Sequence, residues 1–194
     1  MKVKIQIKSL FGKVLFELEK ENNTVKDTLI EALKSGADLR GADLRYTNLS
    51  DANLSDANLS NANLSNANLS GADLYGANLK YTNLRYANLS YANLSYTDLR
   101  YADLSNANLS DANYKGLKIK KFICFSNLYK YNSSAIITED NKYYIELGCH
   151  LSTLEEWESD FWNNNREFPN DGSIKSEMRL LAFNYYRGWI NLNK

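Results

Sequence analysis

The residue types that most often carry acid-base or metal chemistry are few in this sequence and poorly spaced for it. His150 is the only histidine, and it directly follows Cys149. Neighbours in one strand point to opposite faces, so the two cannot form a thiolate-imidazole pair there. Cys124, Cys149 and His150 also lack the close paired spacing of a zinc site. The acidic run Glu155, Glu156, Glu158 and Asp160 is open to a role in proton transfer. On a helix opening at Ser152, however, it complements the positive end of the helix dipole, and Ser152 with Glu155 has the spacing of a capping box. Gly-rich phosphate loops, nucleophile elbows and dinucleotide fingerprints are absent from the sequence. The expectation is a protein that is not an enzyme, with no catalytic residue, no metal ligand and no cofactor.

The elements that would have to position a site say more. The chain has 194 residues, with 23 basic and 23 acidic side chains. A formal charge of zero gives no global field to recruit nucleic acid, so direct nucleic-acid binding is not expected. No apolar run approaches the roughly 20 residues needed to cross a bilayer, and no membrane association is expected. The start, Met1-Lys2-Val3-Lys4-Ile5-Gln6, alternates instead of forming an apolar signal core, which predicts a cytoplasmic protein with reduced thiols. A bridge between Cys124 and Cys149 would require neighbouring strands.

From Ala37 to Tyr114 the sequence repeats every five residues as Ala-(Asp/Asn)-Leu-x-x. The beat falls on Leu39, Leu44, Leu49, Leu54, Leu59, Leu64, Leu69, Leu74, Leu79, Leu84, Leu89, Leu94, Leu99, Leu104, Leu109 and then Tyr114, with Ala or Thr two places before each. On an α-helix a spacing of five scatters the leucines by about 140° a step, and on a strand an odd period sends them to alternate sides. A coil with a turn at the end of every five-residue side points each Leu and each Ala to a common axis. Stacked coils then pair backbone with backbone at about 4.8 Å. A disordered Asn/Ser-rich tract is the alternative on polarity alone. An unbroken register of Leu and a small residue has no use in such a tract.

On these residues the chain resembles a pentapeptide-repeat protein over residues 37–116. The resemblance implies a mainly β fold: a right-handed quadrilateral β-helix of about four coils, on the order of 20 Å long. It implies that the leucines above, Tyr114 and the small residues from Ala37 to Ala112 fill the interior while the other three positions face out. Residues twenty apart then share a face. The position after each Leu gives Arg40, Ser60, Lys80 and Arg100 on one face and Arg45, Ser65, Arg85 and Ser105 on the next. Asp38, Asp43, Asp98 and Asp103 share these faces and largely neutralise them. The remaining faces carry Ser50, Ser70, Ser90 and Ser110, then Ser55, Tyr75, Ser95 and Lys115, together with Asp51, Asp56, Asp73 and Asp111. The last repeat position is Tyr at 46 and then without a break at Tyr81, Tyr86, Tyr91, Tyr96 and Tyr101, a belt in which Tyr101 stacks over Tyr81. These five form the candidate partner surface, the other reading being rings that only shield the backbone of neighbouring coils.

Three segments follow: residues 1–36, 37–116 and 117–194. In the first, Val3, Ile5 and Ile7 alternate with Lys2, Lys4, Gln6 and Lys8, and Val14, Phe16 and Leu18 with Leu15, Glu17 and Glu19, around Ser9-Leu10-Phe11-Gly12, predicting a β-hairpin. Thr24 with Asp27 predicts a helix start, and Val25, Leu29, Ala32 and Leu33 recur at helical spacing up to Gly36, predicting a helix that caps the repeats. In the last, Leu117, Ile119, Ile123 and Phe125 alternate as a strand, and Ala135–Thr138 with Tyr143–Leu147 form a second hairpin. A helix with Leu154, Trp157, Phe161 and Trp162 follows, then a turn at Pro169–Gly172. The final helix is expected to present Ile174, Met178, Leu181, Ala182, Tyr185 and Trp189 on one face. This small α+β domain is similar to tails of bacterial and prophage pentapeptide-repeat proteins around Phe161–Asn164 and Phe168–Gly172.

The function expected is that of a non-catalytic interaction or scaffold protein, its repeat rod a docking surface or spacer for a protein partner. The alternative that the resemblance implies is a DNA mimic that modulates a type II topoisomerase such as gyrase. Leu10, Phe11 and Leu15 are left without evident cover, which predicts a homodimer through the hairpin or the C-terminal domain.

Overall fold

The computed structural model describes residues 1–124, 133–147, 150–160 and 174–194. The chain divides into two compact units, Met1–Lys118 and Ile119–Lys194. In the first, the alternating pattern produces β1 (Lys2–Lys8) and β2 (Val14–Glu21), paired antiparallel. Ile5 lies opposite Leu18 and Ile7 opposite Phe16, which gathers the apolar side chains on one face. On the other face the Lys4 ammonium meets the Glu17 carboxylate at 2.8 Å. Helix α1 (Val25–Lys34) opens on a reciprocal cap: the Thr24 hydroxyl accepts from the Asp27 N–H (3.0 Å), and the Asp27 carboxylate accepts from the Thr24 N–H (3.1 Å). Leu29 and Ala32 are buried, and Gly36, at φ 73, turns the chain out of the helix.

Hairpin and helix cover the first row of repeats. The Asp43 N–H donates to the Lys8 carbonyl (2.8 Å), the Leu10 N–H to the Gly41 carbonyl (3.1 Å), and the Lys26 ammonium to the Ser50 carbonyl (3.0 Å). Backbone groups that would otherwise form an open edge are thereby satisfied.

Every repeat bends in the same way. The Ala42 N–H donates to the Leu39 carbonyl (3.1 Å), closing a turn in which Gly41 takes φ 68, while the Arg40 N–H bonds the Asp38 carboxylate (3.2 Å). The same turn recurs at Asp51 (φ 55) and Asn61 (φ 60). Between turns, residues twenty apart pair in parallel, along 43/63/83/103, 48/68/88/108, 53/73/93/113 and 58/78/98. Only β3 (Asn93–Leu94) and β4 (Asn113–Tyr114) pair over two residues, since a turn every five leaves little straight backbone. Side chains repeat the ladder: the amides of Asn68, Asn88 and Asn108 each donate to the asparagine twenty before, at 3.2–3.3 Å.

Leu39 through Leu109 and Tyr114 are buried, as are most of the small residues two places before them. Thr82 fills one such place because its hydroxyl donates to the Leu59 carbonyl (3.1 Å). Two outward assignments need correction. Ser60 and Ser90 are each only 8% exposed, because a short side chain after Leu lies back against its own Asx turn, where the Asn88 carbonyl accepts from the Ser90 N–H (3.1 Å). Gly71 and Gly76 also answer to a neighbour, since a Cβ on either would stand 2.3 Å from the carboxylate of Asp51 or Asp56.

The strand β5 (Leu117–Cys124) begins by folding back on β4, Tyr114 opposite Leu117. In the second unit it is followed antiparallel by β6 (Ser133–Thr138), β7 (Tyr143–Leu147) and β8 (His150–Thr153). Helices α2 (Leu154–Asp160) and α3 (Ile174–Asn193) complete it. Ala135, Ile145, Leu147, Leu154, Trp157, Ala182, Phe183, Tyr186 and Ile190 form its core. Polar atoms inside are matched: the Trp157 indole N–H donates to the Ile145 carbonyl (2.7 Å) and the Tyr186 hydroxyl to the Ser133 carbonyl (2.8 Å).

Two expectations for this unit are corrected. The helix cap falls on Thr153 and Glu156, not Ser152 and Glu155. The Thr153 N–H donates to the Glu156 carboxylate (2.8 Å), because the strand runs on past Ser152 to Thr153, opposite Tyr144, and the helix opens only at Leu154. On α3 the sheet takes Ala182, Phe183, Tyr186 and Ile190, leaving Leu181 and Tyr185 exposed, so the buried face is rotated from the one expected. The expected roles of Phe125, Cys149, Phe161, Trp162 and the turn at 169–172 lie outside the described residues.

Candidate interaction surface

The turn that ends each repeat requires a positive φ at its last residue. Gly, Asn and Asp meet this requirement easily, and they stand at Gly41, Asp51, Asp56, Asn61, Asn66, Gly71, Gly76, Asn106 and Asp111. The tyrosines occupy the same position against local preference. Tyr46, Tyr81, Tyr86, Tyr91, Tyr96 and Tyr101 all take φ between 58 and 62. A bulky L-residue is uncommon there because its Cβ crowds the following carbonyl.

These side chains are exposed, Tyr96 to 81% and Tyr91 to 68%. Where they touch one another they do so across rows. The rings of Tyr81 and Tyr101 stack at 4.8 Å between centroids, with 5° between planes. Tyr96 meets Tyr75 edge to face at 5.3 Å. Tyr75 was not anticipated in this surface. Its position 21 residues before Tyr96, one ladder interval plus one, was the available signal.

Charges beside the tyrosines are matched locally. Asp38 bonds Arg40 and Asp43 bonds Arg45, each through two guanidinium nitrogens. Asp98 holds Arg100 at 2.7 Å and Lys80 at 3.1 Å, and Asp103 lies 3.6 Å from Arg85. The Arg40 guanidinium lowers the Asp38 carboxyl to about 2, and the hydrogen bond from Arg45 holds the Asp43 carboxyl below its ordinary value. Asp98 is held further below the usual range by Arg100 foremost. Each basic residue of the repeats before Ala112 therefore has a carboxylate partner on the same faces, as the sequence arithmetic implied. Arg85 also lies over the Tyr86 ring at 5.8 Å.

The residues weighed for catalysis do not converge among those described. Cys124 is a partly exposed cysteine in β5, and Glu155, Glu156 and Glu158 lie on α2. Glu156 caps its own helix and its carboxyl is lowered by the Thr153 N–H. No group of three or more His, Cys, Asp or Glu able to hold a metal occurs among the described residues. None of their helices is long and apolar enough to cross a membrane.

Comparison with known proteins agrees with the repeat geometry. The family model for pentapeptide repeats matches in eight copies, over residues 35–71, 52–90 and 87–116. No curated protein matches the chain. Among solved structures, a pentapeptide repeat protein from the Arabidopsis thaliana thylakoid lumen is 34% identical over 38% of this chain and 51% of its own, with a TM-score of 0.37. One from the cyanobacterium Cyanothece 51142 is 41% identical over 39% and 55%, with a TM-score of 0.27. One from Nostoc Pcc 7120 is 36% identical over 46% and 78%, with a TM-score of 0.18. The chain thus spans about half the length of the first two, 51% and 55%. With the repeat model matched across residues 35–116 and the fold mainly β, the chain belongs to the pentapeptide repeat proteins.

Proposed function

We propose that this protein is a non-catalytic scaffold whose repeats form a rigid docking surface for a protein partner in the cytoplasm. The four parallel ladders support a right-handed quadrilateral β-helix of about four coils, with residues 1–36 as its cap and 117–194 as a separate unit that adds specificity. The observation that carries the reading is the tyrosine set. Six tyrosines hold a backbone conformation that Asn or Gly would take more easily, with their side chains 47–81% exposed. Conformational strain retained at exposed aromatic positions is better accounted for by contact with a partner than by shielding. Tyr81 through Tyr101 with their matched arginines have the composition of protein interfaces, in which Tyr and Arg are enriched.

The experiment is affinity capture from the native host with the full chain and with Tyr86→Asn/Tyr91→Asn/Tyr96→Asn. A partner held by the first and lost by the second is the expected result; an identical partner list from both defeats the proposal. Topoisomerase modulation by DNA mimicry ranks lower, because Asp38, Asp43, Asp98 and Asp103 each bind a cation of this chain and neutralise two faces, leaving only Asp51, Asp56, Asp73 and Asp111 as a short acidic side. Protection or inhibition of gyrase at micromolar protein in a supercoiling assay would reverse that order.

A further inference from the structure

Helix α3 carries two apolar stripes, and the second unit buries only one of them. Ala182, Phe183, Tyr186 and Ile190 face the core. Roughly 140° around the helix lie Met178, Leu181, Tyr185, Gly188 and Leu192. Met178 is half-buried, but Leu181 is 56%, Tyr185 45% and Leu192 88% exposed. Their spacing of three, four, three and four residues is that of the seam of a coiled coil, and it runs for about 21 Å.

We propose that this stripe pairs with the same stripe of a second copy, the two α3 helices running antiparallel to make a homodimer. Three observations choose a second copy over an unrelated partner. First, the seam is complementary to itself: laid antiparallel, Leu181 meets Leu192 of the second copy and the Tyr185 ring lies over its Gly188, so the four layers from Leu181 to Leu192 are matched. Second, Gly188 is the poorest helix former after Pro, yet it stands inside a 20-residue helix at an open surface with nothing within 4 Å of its missing Cβ. A notch for the ring of the other copy explains its presence. Third, the exposed flank of the stripe is Glu177, Asn184 and Asn191, and the antiparallel arrangement puts the two copies of its one charged residue at opposite ends of the pair, so no like charges meet. The tip of the first hairpin, where Phe11 is 98%, Leu10 45% and Val14 41% exposed and Leu15 is partly covered, is the competing surface, and it has no such self-matching spacing.

The seam is smaller than a standard stable interface, so association is weak, with a dissociation constant of about 10–100 µM. It does not depend on the tyrosine surface of the repeats. The test is sedimentation equilibrium of the full chain from about 2 to about 200 µM. The mass is expected to rise from 22.2 kDa toward twice that value. Leu181→Glu and Leu192→Lys, each with an unchanged circular dichroism spectrum, are each expected to weaken association at least about tenfold. An equimolar mixture of the two restores it, because the opposite charges then face each other in one layer while the other layer stays Leu on Leu. A chain that is monomeric throughout, variants that associate like the parent, or a mixture that fails to recover would each overturn the proposal. Loss of the dimer with Phe11→Ser and not with the α3 variants would do the same, by placing the contact on the hairpin.

Discussion

Replacing Tyr86, Tyr91 and Tyr96 together by Asn tests whether the tyrosines serve the fold or something outside it. All three sit at φ between 58 and 61, where a bulky L-residue costs roughly 1 kcal/mol. Asn tolerates this region, as it does at Asn61, Asn66 and Asn106 in the same turn, and three substitutions recover about 2 kcal/mol. Against this stands the burial each ring gives up. With the rings more than half in solvent, about 20 Å² of apolar surface per ring, beyond what Asn buries, corresponds to about 0.5 kcal/mol each. The net expectation is a gain of about 0.5 kcal/mol, read as a melting temperature higher by about 1–2 °C. A triple Ala variant loses the rings without relieving the turn and is expected to melt below both, so that the Asn–Ala difference isolates the backbone contribution. Rings that protect the structure predict the opposite sign for the Asn variant. A fall of more than about 3 °C in its thermal melt by circular dichroism would refute the strain reasoning and with it the main support for a docking surface.

Leu79→Lys is expected to cost several kcal/mol, since it places an unpaired charge among stacked leucines, whereas Arg85→Ser on the outside costs about 0.5 kcal/mol; equal losses in denaturant titrations would mean that the interior is misassigned. Asp38 is expected to titrate near 2 by carboxyl NMR and, in Arg40→Gln, to return toward 3.8. Because its folded value lies below the unfolded one, its ion pair favours the fold above about pH 4 and is lost as pH falls through 2, so an unmoved Asp38 midpoint in the variant would exclude Arg40 as the cause. Asp27→Ala removes one half of the α1 cap and should lower stability by about 1 kcal/mol in urea unfolding, while a neutral outcome would show that packing alone holds the helix.

Much of the repeat region was legible in the sequence because one physical requirement recurs in it without interruption. A Leu every fifth residue with Ala or Thr two before it suits neither helix nor strand, and the stacking of residues twenty apart follows by counting. The Thr24 and Asp27 cap and the two hairpins were likewise local patterns, and local patterns suffice where neighbouring residues decide the outcome. The tyrosine positions were legible too, but not their strain. That required the dihedral angle at each turn, although the Asn, Asp and Gly residues at the same position carried the hint.

The sequence determined by itself what depends on period and nearest neighbours: the coiling repeat, its leucine interior, the faces that Asp shares with Arg and Lys, and the hairpin and helix before it. The tertiary structure decided whatever depends on which of two acceptable faces is covered. Helix α3 reads as apolar along both Leu181–Tyr185 and Ala182–Tyr186, and only the sheet, through Ala135, Ile145 and Leu147, selects the second. The cap of α2 moved by one residue because pairing with β7 carries the strand on to Thr153, opposite Tyr144. In each case the local energies of the alternatives are close, and contacts distant in sequence supply the difference.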